Sequence, residues 1–189
     1  MQFIPTKLEC VIIIEPDIYY DDRGYFFESF NQKKFDTYMK TSFIQDNESK
    51  SSFGTLRGLH IQKPPYTQAK LVRVVTGKVL DLVLDLRVDS KTFGKHLAII
   101  LSQENKRQIF VPRGFAHGFI VLSQEAIFTY KVDNIYNRDS EFGISYNDLT
   151  LNIDWIISPK EIQVSAKDST LPNFNNSCFY STNEYNKTI

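Results

Sequence analysis

Between residues 54 and 132 apolar and polar side chains alternate in runs too short for ordinary helices, and turn residues keep interrupting them. Residues 78–86 show the pattern most strictly: Val79, Asp81, Val83 and Asp85 fall on one side of an extended chain, Leu80, Leu82, Leu84 and Leu86 on the other. Thr76-Gly77 turns the chain into this segment from residues 71–75, and a second turn at residues 89–94 leads to residues 96–101. Residues 108–111, 119–122 and 126–132 continue the series, with Pro112-Arg-Gly114 as another turn. Strands with turn signals every eight to twelve residues or so predict an antiparallel sandwich or barrel. Fifteen Phe and ten Tyr, with many Val, Ile and Thr, favour the same all-β class.

The first fifty residues add an apolar strand over 8–14 that ends at Pro16, a turn at Asp21-Asp-Arg-Gly24, and a strand over 43–47. Asn31 is placed to cap a short helix whose Phe35, Tyr38 and Met39 share a side. The 189 residues suffice for one domain, predicted over 1–170, followed by a polar tail over 171–189.

Lys+Arg and Asp+Glu balance at 22 each, so no global field draws the chain to nucleic acid or an anionic membrane. No stretch approaches the ~18 apolar residues of a membrane helix, and the N-terminus lacks a basic segment followed by an apolar run. Cys10 and Cys178 are too few for a disulfide framework, which makes a reducing cytoplasm the expected compartment.

Chemistry concentrates around Gly54-Thr-Leu-Arg-Gly-Leu-His-Ile-Gln62 and the following Lys70. Period-2 geometry puts Gly58, His60 and Gln62 on one face and Leu59 and Ile61 on the other. Pro64 and Pro65 separate this strand from the one that begins at Lys70. His60, His96 and His117 are the full histidine inventory. Metal-binding jelly rolls usually carry two histidines one residue apart on a strand face, but Gln62 occupies the second place; no metal is expected. His96 reads as an ordinary interior residue.

Tyr130 becomes a candidate acid if its hydroxyl meets the face that carries His60. Asp168, in Ser165-Ala-Lys-Asp168, reads either as a surface turn acid or as the group that orients an imidazole, and Asp81 is its rival. Arg23, Arg57, Lys70 and Lys167 lie among glycines and aromatics in a way that suits phosphate. Phe26 and Tyr136 could stack on a flat base.

Four strings together, Asp22-Arg-Gly-Tyr-Phe-Phe-Glu28, Gln45-Asp-Asn-Glu-Ser-Lys-Ser51, Arg57-Gly-Leu-His-Ile-Gln62 and Gly114-Phe-Ala-His-Gly-Phe119, resemble the dTDP-4-dehydrorhamnose 3,5-epimerase family. Lys70-Leu-Val, Asp85-Leu-Arg87, Tyr130-Lys131, Tyr136, Glu141-Phe-Gly-Ile144 and Asn147-Asp148 agree in order and spacing, so the likeness runs from about residue 3 to 170. Asp46 and Tyr146 depart from the family pattern.

The resemblance implies a cupin-type jelly roll that acts as a cytoplasmic homodimer, without cofactor, in dTDP-rhamnose biosynthesis. Its substrate would be dTDP-4-keto-6-deoxyglucose and its product dTDP-4-keto-L-rhamnose. By motif, His60 is then the general base, Asp168 its partner, Tyr130 the acid on the opposite face and Lys70 the cation at the sugar O4. Arg23, Glu28, Gln45, Asn47, Arg57, His117, Glu141 and Lys167 fall at substrate contacts, and Tyr136 with Phe26 at the thymine. The competing expectations are a single-centre epimerase, a metal-dependent cupin and a non-catalytic sugar-binding module.

Overall fold

The computed structural model describes residues 1–187. Its thirteen strands, among the described residues, run β1 (Gln2–Pro5), β2 (Ile12–Glu15), β3 (Tyr19–Asp21), β4 (Gly24–Phe26), β5 (Gln45–Ser52), β6 (Leu56–Gln62), β7 (Lys70–Thr76), β8 (Lys78–Asp85), β9 (His96–Ser102), β10 (Gln108–Val111), β11 (Phe115–Val121), β12 (Glu125–Val132) and β13 (Glu141–Gly143). Six of them form one sheet in the order β1-β2-β10-β7-β12-β5, and five form a second, β13-β6-β11-β8-β9. All ladders in both sheets are antiparallel. The hairpin β3–β4 stands apart from both sheets.

The strict alternation in β8 has a direct structural reading. Val79 and Val83 join Val72, Val74, Leu101, Phe119 and Phe128 in the core between the sheets. Leu80, Leu82, Leu84 and Leu86 face the other way, into a second core roofed by Ile144, Leu151, Trp155 and Tyr185. With apolar layers on both faces, β8 is buried from Val79 to Asp85. Full burial of each such aliphatic side chain stabilises the fold by about 1.5–3 kcal/mol, so this strand anchors the five-stranded sheet.

The short helix α1 (Gln32–Asp36) begins where the sequence predicts it, with the Asn31 side chain accepting from the Lys34 N–H. Phe35 and Met39 enter a third apolar cluster with Ile14, Leu71 and Phe110. Tyr38 stays exposed but stacks on Phe3, ring centres 4.0 Å apart. β1 was not legible in the sequence, and residues 8–11 form a turn rather than strand, with Cys10 at φ 67°.

The segment expected as a polar tail is packed. Tyr185, on helix α2 (Thr182–Tyr185), is fully buried, and its carbonyl accepts from the Thr67 hydroxyl at 2.8 Å. Phe174, Phe179 and Tyr180 cover the second core. Polar composition hid these four rings, each spaced too irregularly to give a periodic signal; residues 188–189 of that segment lie outside the described residues.

Candidate active site

The site lies where the two sheets part. His60 on β6 and His117 on β11 are paired residues of neighbouring strands, so the two imidazoles sit side by side. A bulge between them changes the register: His117 pairs with His60, but Phe119 pairs with Arg57. Regular alternation would turn Arg57 away with Leu59 and Ile61; the bulge returns it to the face of His60, and both line one cleft of about 540 Å³. Gly58 makes this possible. At φ +124° it holds a backbone conformation that other residues avoid, and a Cβ there would lie 2.6 Å from the Gly118 Cα.

Lys70 (β7), Tyr130 (β12), Glu48 (β5), Lys167 and Asp168 also line this cleft, over a floor of Phe119 and Phe128. Those two rings stack with centres 4.0 Å apart. A narrower recess shares His60, Lys70 and Tyr130 and adds Tyr136 and Glu141.

Asp168 is buried at the head of a 3-10 turn, Asp168–Thr170, and accepts from His60 Nε2 at 2.6 Å. The Gly58 N–H reaches its other oxygen at 3.4 Å. Burial pushes the Asp168 carboxyl up, but the His60 bond and charge, with Gly58 and Ser165, outweigh it and hold the group below its ordinary value. The surface-acid reading of Asp168 therefore fails. Asp81 is buried too, but serves the other imidazole: both its oxygens lie within 3.1 Å of His117 Nε2.

Lys70 and Tyr130 face each other, the ammonium 6.0 Å from the ring centre. Burial pulls the Lys70 ammonium down to about 8, against the opposing charges of Asp81 and Glu141. Burial also raises the Tyr130 phenol; Arg57 opposes this and Glu141 adds to it. Tyr130 therefore keeps its proton near neutrality. Burial raises Glu141 as well, but bonds from Lys167 and Tyr136 leave it lowered. The Tyr136 hydroxyl donates to Glu141 at 2.7 Å, and Lys167 Nζ sits 2.5 Å from the same carboxylate oxygen.

Nine of the predicted site residues thus converge: His60, Lys70, Tyr130, Asp168, Arg57, His117 and Lys167 in the cleft, Tyr136 and Glu141 in the recess. Five do not line either space. Gln45 and Asn47 bond to each other on β5, with Asn47 paired to Tyr130 across the ladder. Arg23 is 90% exposed and pairs with Asp21, and Phe26 is 70% exposed. Glu28 bonds to Lys34 and Asn31. His96 lies on the edge strand β9 and lines neither space; burial, then Lys7, hold its imidazole below the ordinary value. Nothing in the sequence marks Phe119 and Phe128 as site residues, although Phe119 closes the string that carries His117. Among the described residues no group of three His, Cys, Asp or Glu side chains is arranged to hold a metal ion.

The sequence profile of the dTDP-4-dehydrorhamnose 3,5-epimerase family matches residues 5–176. The chain belongs to this family. A dTDP-4-dehydrorhamnose 3,5-epimerase from Shigella flexneri is 50% identical over 169 residues, 86% of this chain and 93% of its own length. The crystal structure of dTDP-4-dehydrorhamnose 3,5-epimerase from Elizabethkingia anophelis NUHP1 is 50% identical, with a TM-score of 0.90 over 94% of this chain and 98% of that one. A dTDP-6-deoxy-D-glucose-3,5-epimerase from Legionella pneumophila Philadelphia 1, in complex with dTDP-4-keto-L-rhamnose, is 44% identical, with a TM-score of 0.91 over 95% and 97%. Family membership makes the chain an isomerase, a 3,5-epimerase of a dTDP-linked 4-keto-6-deoxy sugar. The all-β sandwich is accordingly the cupin-type jelly roll that the motifs implied.

Proposed function

We propose that the cleft inverts C3 and C5 of dTDP-4-keto-6-deoxyglucose to give dTDP-4-keto-L-rhamnose, with His60 as base, Tyr130 as acid and Lys70 as the cation at O4. The observation that carries this assignment is the 2.6 Å bond from Asp168 to His60 Nε2, made beside Tyr130 and Lys70 in one cleft. With Nε2 engaged, Nδ1 is the nitrogen left to take a proton. The C4 carbonyl acidifies the hydrogens on C3 and C5. When His60 removes one, the electron pair moves into an enolate and the charge settles on O4, where the Lys70 ammonium stabilises it. Tyr130 then gives a proton to the opposite face of the same carbon. The proton held by His60 and the vacancy on Tyr130 are restored through solvent, so oxidation state is unchanged and no redox cofactor is required.

Arg57, His117, Glu141 and Lys167 would bind the diphosphate and sugar, and Tyr136 would stack on the thymine. Arg23, Phe26 and Glu28 fit best as contributions from a second copy. They lie on or beside the β3–β4 hairpin, which also exposes Tyr19, Tyr20 and Tyr25. An aromatic hairpin this exposed is what an exchange between the two subunits of a homodimer would bury. Cys10 and Cys178 are unpaired thiols, in keeping with a cytoplasmic enzyme.

Incubation with dTDP-4-keto-6-deoxyglucose, followed by NMR of the product, tests the proposal. Inversion at both carbons is expected. Inversion at one would make the chain a single-centre epimerase, and nucleotide binding without conversion would make it a binding module.

A further inference from the structure

Resting on the epimerase reading, we infer that Asp81 is a positioning residue: from beneath the cleft it fixes the His117 imidazole and keeps Lys70 cationic for the enolate. Asp81 points into the core between the sheets, flanked on its strand by Val79 and Val83, and has no exposed surface. A carboxylate there is costly unless it is paired. It has room to accept about four hydrogen bonds. Among the described residues, its side chain takes them only from His117 Nε2, at 2.9 and 3.1 Å. The pairing requires the proton on Nε2, which leaves His117 Nδ1 as an acceptor in the neutral ring.

The Asp81 carboxylate also acts on Lys70, where it is the foremost influence opposing burial. The other groups that share the cleft with Lys70 divide into two sets. Tyr130 and Glu141 face it from β12 and β13, Tyr130 raised above its ordinary value and Glu141 tied to Lys167. His60 with Asp168, His117, Arg57, Glu48 and Lys167 line the remainder. Burial brings Lys70 down towards neutrality, to about 8. The paired strands β6 and β11 thus carry two imidazoles side by side, each held by its own carboxylate from another element. Asp168 orients a ring for proton removal, and Asp81 orients a ring and sets the charge of the group that receives the resulting anion.

Asp81→Asn decides the matter, because the amide oxygen can still accept from His117 Nε2 while the charge is gone. The wild-type enzyme is expected to lose kcat as pH rises through about 8. In the variant that limb should move down by about one pH unit, the low end for removing one nearby opposite charge. A shift of that size leaves kcat within about twofold of wild type at pH 6.5 and about fivefold lower at pH 8, with KM nearly unchanged. A folded variant with an unmoved alkaline limb, or with a loss uniform across pH, overturns the inference. A variant that does not fold passes the decision to ¹⁵N NMR of histidine in the wild-type protein. There the neutral His117 ring must carry its proton on Nε2, and a proton on Nδ1 overturns the inference. Absence of turnover by the wild type would instead sink the epimerase reading itself.

Discussion

At the residue scale the account turns on which acid serves which histidine. Sequence alone left Asp81 and Asp168 as rivals, because spacing along the chain says nothing about which carboxylate folds back onto a given ring. The structure separates them by 3-10 turn and strand: Asp168 to His60, Asp81 to His117. Asp168→Asn is expected to lower kcat by about 10²-fold or more, within the range a positioned base supplies, with little change in KM. The same substitution has a signature in stability. The folded protein holds Asp168 below its ordinary value, so the ionised carboxylate stabilises the fold fully above the unfolded value of about 4. That contribution is lost as pH falls through the lower folded value. Thermal melts of the two proteins should therefore differ near neutrality and converge in acid; a gap that persists at low pH would contradict the assignment.

At the scale of single elements, the strands were largely legible and the irregularities within them were not. Alternation in β8 gave both faces correctly, and Leu59 and Ile61 on β6 are buried as the period requires. The same period misassigns Arg57, since a one-residue bulge inverts the pattern on one side of Gly58. Gly58→Ala is expected to destabilise the fold by about 1–3 kcal/mol from backbone strain alone, with more from the Gly118 contact. It should also remove activity by turning Arg57 or His60 out of the cleft. A denaturant melt and a turnover assay check this, and a stable, active variant would show that the bulge does not need glycine. The C-terminal segment taught the opposite lesson, because sparse aromatics in polar sequence gave no period to read. Tyr185→Ala should cost about 3–5 kcal/mol, as for other buried aromatic rings; a melt unchanged from wild type would mean that α2 is not part of the core.

For the whole molecule, the family likeness implied the jelly roll, and nine of the fourteen site residues it implied line the cleft and recess. Of the five that stayed outside, Arg23, Phe26 and Glu28 lie on or beside the β3–β4 hairpin, which stands clear of both sheets, while Gln45 and Asn47 bond to each other at the start of β5. A homodimer that exchanges hairpins makes a specific expectation. Protein carrying His60→Ala and protein carrying Arg23→Ala with Phe26→Ala should each be nearly inactive. Refolded together, they should recover a substantial fraction of wild-type turnover, because half the sites of a mixed dimer combine intact parts. No recovery, in a mixture shown to exchange subunits, would contradict the hairpin exchange.

The central claim is that His60 removes the protons at C3 and C5 and that a different group returns them. Conversion of dTDP-4-keto-6-deoxyglucose in D₂O, followed by NMR at each carbon, measures this directly. The wild-type enzyme should place deuterium at both inverted centres, His60→Ala should slow exchange at both by about 10²–10⁴-fold, and Tyr130→Phe should impair inversion more than exchange. Deuterium entering C3 and C5 at the wild-type rate without the His60 imidazole would contradict the account.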